Sequence, residues 1–263
     1  MIEAKKTYEH ILFEQDGPVA YVTMNRPNKR NALSLDHMRE LISCFEELGE
    51  RRDASVVILR GEGPAFCAGH DLSEMLGRDP DFYRRLFDVC CGLMETIQGI
   101  PQPVIAQVHA TATAAGCQLA ATCDLVVASE EARFATPGVR IGLFCSTPMV
   151  ALSRAVGQKK SMEMLLTGEF ISAEEARAEG LVNRVVSAEE LETETRSVAE
   201  KIAEASPLVV GIGKRAFYRQ LEMSTEQAYA YTKEVMSYNA SFADAQEGMG
   251  AFLEKRKPEW KGR

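Results

Sequence analysis

T-A-T-A-A-G-C-Q-L-A-A-T-C-D, residues 111–124, sets a run of small side chains ahead of Gly116 and places an amide, Gln118, two residues beyond it. A strand over Pro103–Val108 precedes the run, a short helix over Gly116–Thr122 lies inside it, and another strand over Leu125–Ala128 follows. Strand, helix and strand in that order favour an α/β layout with crossover connections. The first N–H groups of a helix have no partner within the helix and lie at the positive end of its dipole. The N–H of Ala115 is therefore expected to be free to donate, and its small neighbours would let a ligand oxygen reach it.

A second stretch points to the same chemistry. A-F-C-A-G-H-D-L, residues 65–72, follows an apolar strand at Ser55–Arg60 and the turn Gly61-Glu62-Gly63-Pro64. Gly69 can take backbone angles closed to other residues, which would turn the N–H of His70 outward. Two main-chain donors that converge on one point form an oxyanion hole, in which a single donor contributes about 3–4 kcal/mol of transition-state stabilisation. The alternative is that both stretches are tight turns packing a core.

The flanking chain completes an α/β pattern. H-I-L-F-E-Q and V-A-Y-V-T-M-N, joined by Asp16-Gly17-Pro18, read as a hairpin. Ser34 caps a helix whose Leu35, Met38, Leu41, Ile42, Phe45 and Leu48 form one stripe, and Asp81–Ile97 is a second amphipathic helix stopped by Gly99 and Pro101. After Thr147 the chain becomes mainly helical. Capping-box spacings recur at Ser172/Glu175, Ser187/Glu190 and Ser224/Gln227, and Ser206-Pro207 opens another helix.

Composition narrows the partners. Thirty basic against thirty-eight acidic residues leave a net charge of −8, which argues against nucleic acid or an anionic membrane as the main partner. The uncharged run Pro101–Cys123 carries Gln102, Gln107, His109 and Gln118, a poor fit to a lipid span. The N-terminus lacks an apolar signal core. Seven cysteines, an odd number with no C-x-x-C pair, read as buried thiols in a reducing compartment, so cytoplasmic residence is expected and no metal site is. No H-E-x-x-H, G-x-S-x-G or Walker loop occurs. Gly211-Ile212-Gly213-Lys214-Arg215-Ala216 fits a loose dinucleotide fingerprint, but a helix start rather than a strand precedes it, so it reads as glycines within or between helices.

Taken with N-R-P-N-K-R-N-A-L at 25–33, M-L-L-T-G-E-F-I-S-A-E-E-A at 164–176, G-L-V-N-R-V-V at 180–186 and E-G-M-G-A-F-L-E-K-R-K-P-E-W at 247–260, the two turns resemble the motifs of the crotonase, or enoyl-CoA hydratase/isomerase, superfamily, in order and over nearly the whole chain. The resemblance implies an α/β fold with a ββα spiral core over residues 1–200 and a C-terminal helical trimerisation region over 201–263. It implies a homotrimer or a dimer of trimers. The ligand would be an acyl-CoA thioester, with coenzyme A entering as part of the substrate and no other cofactor. The N–H groups of His70 and Ala115 would hold its carbonyl oxygen, while the His70 imidazole packs or faces solvent rather than acting as a base. Arg26, Ala32 and Ala68 would lie along the CoA moiety, joined by Phe252 and Lys255 of a neighbouring subunit. The tail 254–263, with five basic and two acidic residues, suits CoA phosphates or is simply a solvated end.

Two glutamates handle water and proton in the hydratases of this superfamily. At the matching positions this chain has Gln118 and Gly138. An amide cannot exchange a proton near neutral pH and a glycine has no side chain, so standard hydration is not expected, because each acid or base contributes about 10²–10⁴-fold. Leu143–Pro148 replaces a glycine-rich stretch and brings Cys145 and Ser146 into a region where other crotonases carry a catalytic aspartate. Either would contact the acyl group, or they form a buried thiol and a helix cap. Of the remaining acids, Asp71 and Asp124 read as structural, and Glu62 and Glu74 are not assigned as bases. Two readings follow: an enzyme acting on the thioester by an enolate-type reaction in fatty-acyl-CoA metabolism, or a CoA-thioester binder without turnover.

Overall fold

The computed structural model describes residues 8–263. The expectation of no apolar signal core falls largely on residues 1–7, outside the described residues.

Strands β1 (Ile11–Asp16) and β2 (Val19–Met24) pair antiparallel with Asp16 opposite Val19, so Gly17, at φ 57°, and Pro18 make the turn. Helix α1 (Leu35–Glu50) follows, capped by the Ser34 hydroxyl accepting from His37 N. Its buried face carries Met38, Leu41, Phe45 and Leu48, as their spacing requires. Then come β3 (Val56–Gly61), β4 (Ala65–Cys67), α2 (Leu72–Met75) and α3 (Pro80–Gly99). The next unit is β5 (Val104–Val108), β6 (Thr111–Thr113) and α4 (Ala115–Thr122). It is followed by β7 (Leu125–Ser129), β8 (Arg133–Ala135), a 3-10 turn at Pro137–Ile141, α5 (Pro148–Ala155) and α6 (Gln158–Thr167). Strand β9 (Ile171–Ser172), α7 (Ala173–Ala178) and β10 (Arg184–Val186) lead to α8 (Leu191–Ala203), α9 (Pro207–Gln220), α10 (Thr225–Ala240) and α11 (Ala243–Glu254).

From β3 to β8 the strands alternate between two sheets. β3, β5 and β7 enter a six-stranded sheet of order β1-β2-β3-β5-β7-β10. The strand after each of them, β4, β6 or β8, enters a four-stranded sheet of order β4-β6-β8-β9. Repeating strand, strand and helix in this way winds the ββα spiral. The large sheet is parallel from β2 onward and covered on both faces, which explains the unbroken apolar run V-V-I-L in β3. Val19, Tyr21, Val56, Ile58, Ile105 and Val127 face Leu191, Val198 and Ala199 of α8. Their alternates, among them Ala20, Val22, Val57, Leu59 and Ala106, face the main core.

Of the three capping boxes, only Ser224 with Gln227 forms the reciprocal pair. Ser172 caps α7, while the Glu175 carboxylate turns to Lys160. Ser187 accepts from Glu190 N at 3.3 Å, but the helix begins one residue later, at Leu191, so this bond closes a turn ahead of the helix. Gly211–Ala216 lies inside α9, which removes the dinucleotide reading.

Lys214 from that stretch is buried and anchors α9. Its Nζ donates to the carbonyls of Ile97 (2.8 Å) and Gln102 (2.9 Å) and pairs with Asp124 at 2.7 Å. Asp124 also accepts from Val104 N and the Tyr218 hydroxyl, a structural role. Burial lowers the Lys214 pKa against the pull of Asp124. Removing one partner of a buried pair leaves the other uncompensated, so Lys214→Met should lower unfolding free energy by about 3 kcal/mol in urea titrations. Adding Asp124→Asn should recover part of that loss.

Candidate functional site

The first turn follows β4. Gly69 sits at φ 91°, outside the range of ordinary L residues. A single parallel bridge ties His70 to Leu33: Leu33 N donates to Gly69 O at 2.7 Å and Asp71 N donates to Leu33 O at 3.0 Å. In such a bridge the central residue directs its own N–H to the opposite side. The His70 N–H accordingly has no acceptor among the described residues.

The second turn joins β6 to α4. Ala114, at φ 50° and ψ −119°, makes the corner, a conformation that costs a non-glycine residue about 1–3 kcal/mol. Its N–H goes to Ala135 O at 2.9 Å and its carbonyl accepts from Gln118 N at 3.0 Å. Ala115 is the first residue of the helix, and its N–H also lacks an acceptor among the described residues. The two turns are in backbone contact. A Cβ on Gly69 would come 2.9 Å from Ala114 Cβ and 3.4 Å from Ala115 N, and one on Gly116 would lie 2.1 Å from Cys67 O. The small residues of both stretches therefore serve this approach.

Both turns wall one cavity of about 440 Å³. Ala68, His70, Ala114 and Ala115 form one side, Gly138 and Leu143–Pro148 face it, and Leu72, Met75 and Phe87 supply apolar surface. None of the described residues lining it is a carboxylate; the titratable side chains there are His70, Arg140 and Cys145. Arg140 Nε donates to Thr167 O at 3.0 Å. The His70 ring packs edge-on against Phe87, with centroids 5.4 Å apart. Burial pushes its pKa down to about 4, so the imidazole is neutral at pH 7.

The loop at 142–148 closes on the 3-10 turn. Leu143 N donates to Gly138 O at 2.9 Å, and Gly138 N donates to Cys145 Sγ at 3.3 Å. A Cβ at Gly138 would fall 2.0 Å from Leu143 O and 2.8 Å from Cys145 Sγ. The Cys145 thiol is buried and its pKa raised by that burial, which keeps it protonated. A protonated thiol that accepts an N–H bond reads as structural. Ser146 does not cap α5; Thr147 occupies that position, while the Ser146 hydroxyl lies 3.4 Å from Phe144 O.

Other expected residues lie elsewhere. Gln118 is buried one turn into α4 with its Oε1 3.9 Å from Cys90 Sγ, and is not among the residues lining the cavity. Arg26 and Ala32 are beside the site rather than in it. The guanidinium donates to Ala32 O and pairs with Asp71 at 3.1 Å, tying the Asn25–Leu33 motif to the His70 turn. Asp71 caps α2, and Glu74 accepts from Leu35 N at 3.0 Å, so each holds a helix start. The Glu62 carbonyl accepts from Asn31 Nδ2. Phe252 and Lys255, at the exposed end of α11, do not reach the cavity within this chain. The tail folds back: Trp260 Nε1 donates to Glu204 O, and Asp244 accepts from Lys261 N and Gly262 N. Met75, Phe87 and Arg140 escaped the sequence reading; helical periodicity marks an apolar face without showing which part of it lines a cavity.

A spiral of ββα units matches the fold that the motifs led one to expect, and the chain belongs to the enoyl-CoA hydratase/isomerase family, whose model matches residues 14–263. The fold is that of the crotonases. Among individual relatives, the mitochondrial enoyl-CoA hydratase domain-containing protein 3 of Rattus norvegicus is 46% identical over 248 residues, covering 94% of this chain and 82% of the relative. The crystal structure of human enoyl-CoA hydratase domain-containing protein 3 superposes with a TM-score of 0.94 at 46% identity, covering 96% of this chain and 100% of the other. An enoyl-CoA hydratase structure from Mycobacterium smegmatis also gives a TM-score of 0.94, at 48% identity and with 96% and 99% of the two chains covered.

Proposed function

We propose that this protein binds an acyl- or enoyl-CoA thioester with its carbonyl oxygen on the N–H groups of His70 and Ala115, and acts on it by an enolate-type reaction rather than by standard hydration. One observation carries the reading: two unpaired main-chain donors, on turns in backbone contact, wall a cavity whose described lining contains no carboxylate. Such donors stabilise negative charge developing on a carbonyl oxygen. Hydration also needs a group to activate water and a group to deliver a proton, and neither expected carboxylate is present.

A binder without turnover is the second reading. The closed contact between Gly138 and Leu143 favours it, since no acid or base can occupy that position. Mass spectrometry of an acyl-CoA panel incubated with the protein separates the two, because only an enzyme changes a panel member. With crotonyl-CoA, calorimetric binding with hydration about 10³-fold or more below that of a glutamate-bearing relative is expected. Hydration at a relative's rate would refute the reading of Gln118 and Gly138.

We also propose a homotrimer or dimer of trimers. Tyr229, Met236 and Tyr238 of α10 and Phe252 and Leu253 of α11 are large apolar side chains at least 71% exposed in the single chain. Light scattering on the purified protein tests this. Seven cysteines with no disulfide among the described residues fit a reducing compartment.

A further inference from the structure

The cavity has lost its carboxylates but retains one side chain able to take a proton. His70 Nε2 is sealed from solvent with no hydrogen-bond partner, whereas Nδ1 is not sealed in this way and has no partner among the described residues. A neutral imidazole carries one N–H and one lone pair, so whichever tautomer is present, its lone pair is uncommitted. The ring's packing partner is Phe87, an apolar neighbour that Leu or Phe at position 70 would suit equally well. An unpaired buried polar group is costly, and packing gives no return for that cost.

We propose that the imidazole of His70 is the base that takes the α proton of the bound acyl-CoA. The inference rests on the thioester reading above and deepens it by naming the proton acceptor. The resemblance implies a ring that packs or faces solvent; an Nδ1 without a partner on a residue of the cavity lining is what changes that assignment.

The step balances without a further reagent. With the ring's N–H on the sealed Nε2, the lone pair of Nδ1 forms a new N–H bond with the α proton. The electrons of the broken C–H bond become the double bond between the α carbon and the carbonyl carbon, and the carbonyl π pair moves onto oxygen. The enolate oxygen is held by the N–H groups of His70 and Ala115, and the imidazolium returns the proton to the α carbon or delivers it elsewhere along the acyl chain. The residue that grips the oxygen, at about 2.9 Å from its N–H, carries the base on its own side chain, and the α carbon is two bonds from that oxygen. Basicity is adequate as well. Burial alone sets the ring's conjugate acid near 4, with no neighbouring charge contributing, which is close to the about 4.3 of the glutamates it would stand in for.

The experiment follows exchange of the α protons of butyryl-CoA in deuterium oxide by mass spectrometry, with affinity measured separately by calorimetry. Butyryl-CoA has no double bond to hydrate. Every non-proline substitution at position 70 keeps the backbone N–H, so His70→Ala removes the base and its contact with Phe87 but keeps the donor. Wild type is expected to incorporate deuterium, and His70→Ala to lose it about 10²-fold or more with little change in Kd. Added imidazole should restore part of the exchange in His70→Ala, which a packing role would not allow. His70→Gln, which fills more of the space without a base, serves if the alanine variant melts early. Binding with no exchange by wild type, or unchanged exchange in a folded variant, overturns the role of His70 and leaves the thioester reading intact. No binding of butyryl-CoA to wild type overturns that reading and this inference with it.

Discussion

The double variant Gln118→Glu with Gly138→Glu, which restores both glutamates in name, should not become a hydratase. The obstacle is steric. A Cβ at position 138 would lie 2.0 Å from Leu143 O and 2.8 Å from Cys145 Sγ, and the first of these is backbone. Admitting any side chain requires the loop at 142–148 to withdraw, breaking the Leu143 N to Gly138 O bond and the Gly138 N to Cys145 Sγ contact. Gly138→Ala by itself should therefore cost about 2–3 kcal/mol by denaturant titration, the scale of forced overpacking with lost hydrogen bonds. The double variant should gain less than about tenfold in crotonyl-CoA hydration, well short of what a working acid–base pair contributes. Replacing Leu143–Pro148 with a glycine-rich loop should be needed before any larger gain. A gain of about 10²-fold without that replacement would show that the loop yields easily and that the cavity is not closed at this point.

Gly116→Ala should be as damaging, and for a reason that bears on the donors. Its Cβ would fall 2.1 Å from Cys67 O and 2.7 Å from the carbonyl carbon, both main-chain atoms of β4. No rotamer change relieves this, so α4 must move away from β4. We expect about 3 kcal/mol or more of destabilisation, and a fall in acyl-CoA affinity measured on the folded fraction, because the shift separates Ala115 N from His70 N. Gly92→Ala in α3 is the matched control. Its Cβ would have nothing within 4 Å, so helix propensity should leave it neutral or more stable by up to about 1 kcal/mol. Equal behaviour of the two variants in melts and in calorimetry would remove the close approach from the account.

How far the residues themselves disclosed this site depends on the range of the forces involved. Local chemistry was legible: Ser34, Ser206 and Ser224 announce helix starts through hydroxyls that accept from the N–H three residues on, and the structure has all three. The stripe of α1 follows from apolar spacing, and the unbroken apolar run of β3 marks a strand buried on both faces. The short sheet of β4, β6, β8 and β9 did not emerge as a sheet, because strands of two or three residues carry too little pattern. Gly69 signalled an unusual turn, whereas Ala114 takes a positive φ with a side chain that gives no such warning. Gly138 stood out only as a missing glutamate. That Leu143 O occupies the space its side chain would need is a contact between loop and turn, and no local signal encodes it. Lys214, part of a glycine pattern in the sequence, proved to be a buried anchor for the same reason.

A crystal structure of the protein soaked with butyryl-CoA tests the central claim most directly. The thioester oxygen is expected within about 3.2 Å of both His70 N and Ala115 N, with no carboxylate reaching the α or β carbon. An oxygen held by neither amide, or a carboxylate brought against the acyl chain, would contradict it.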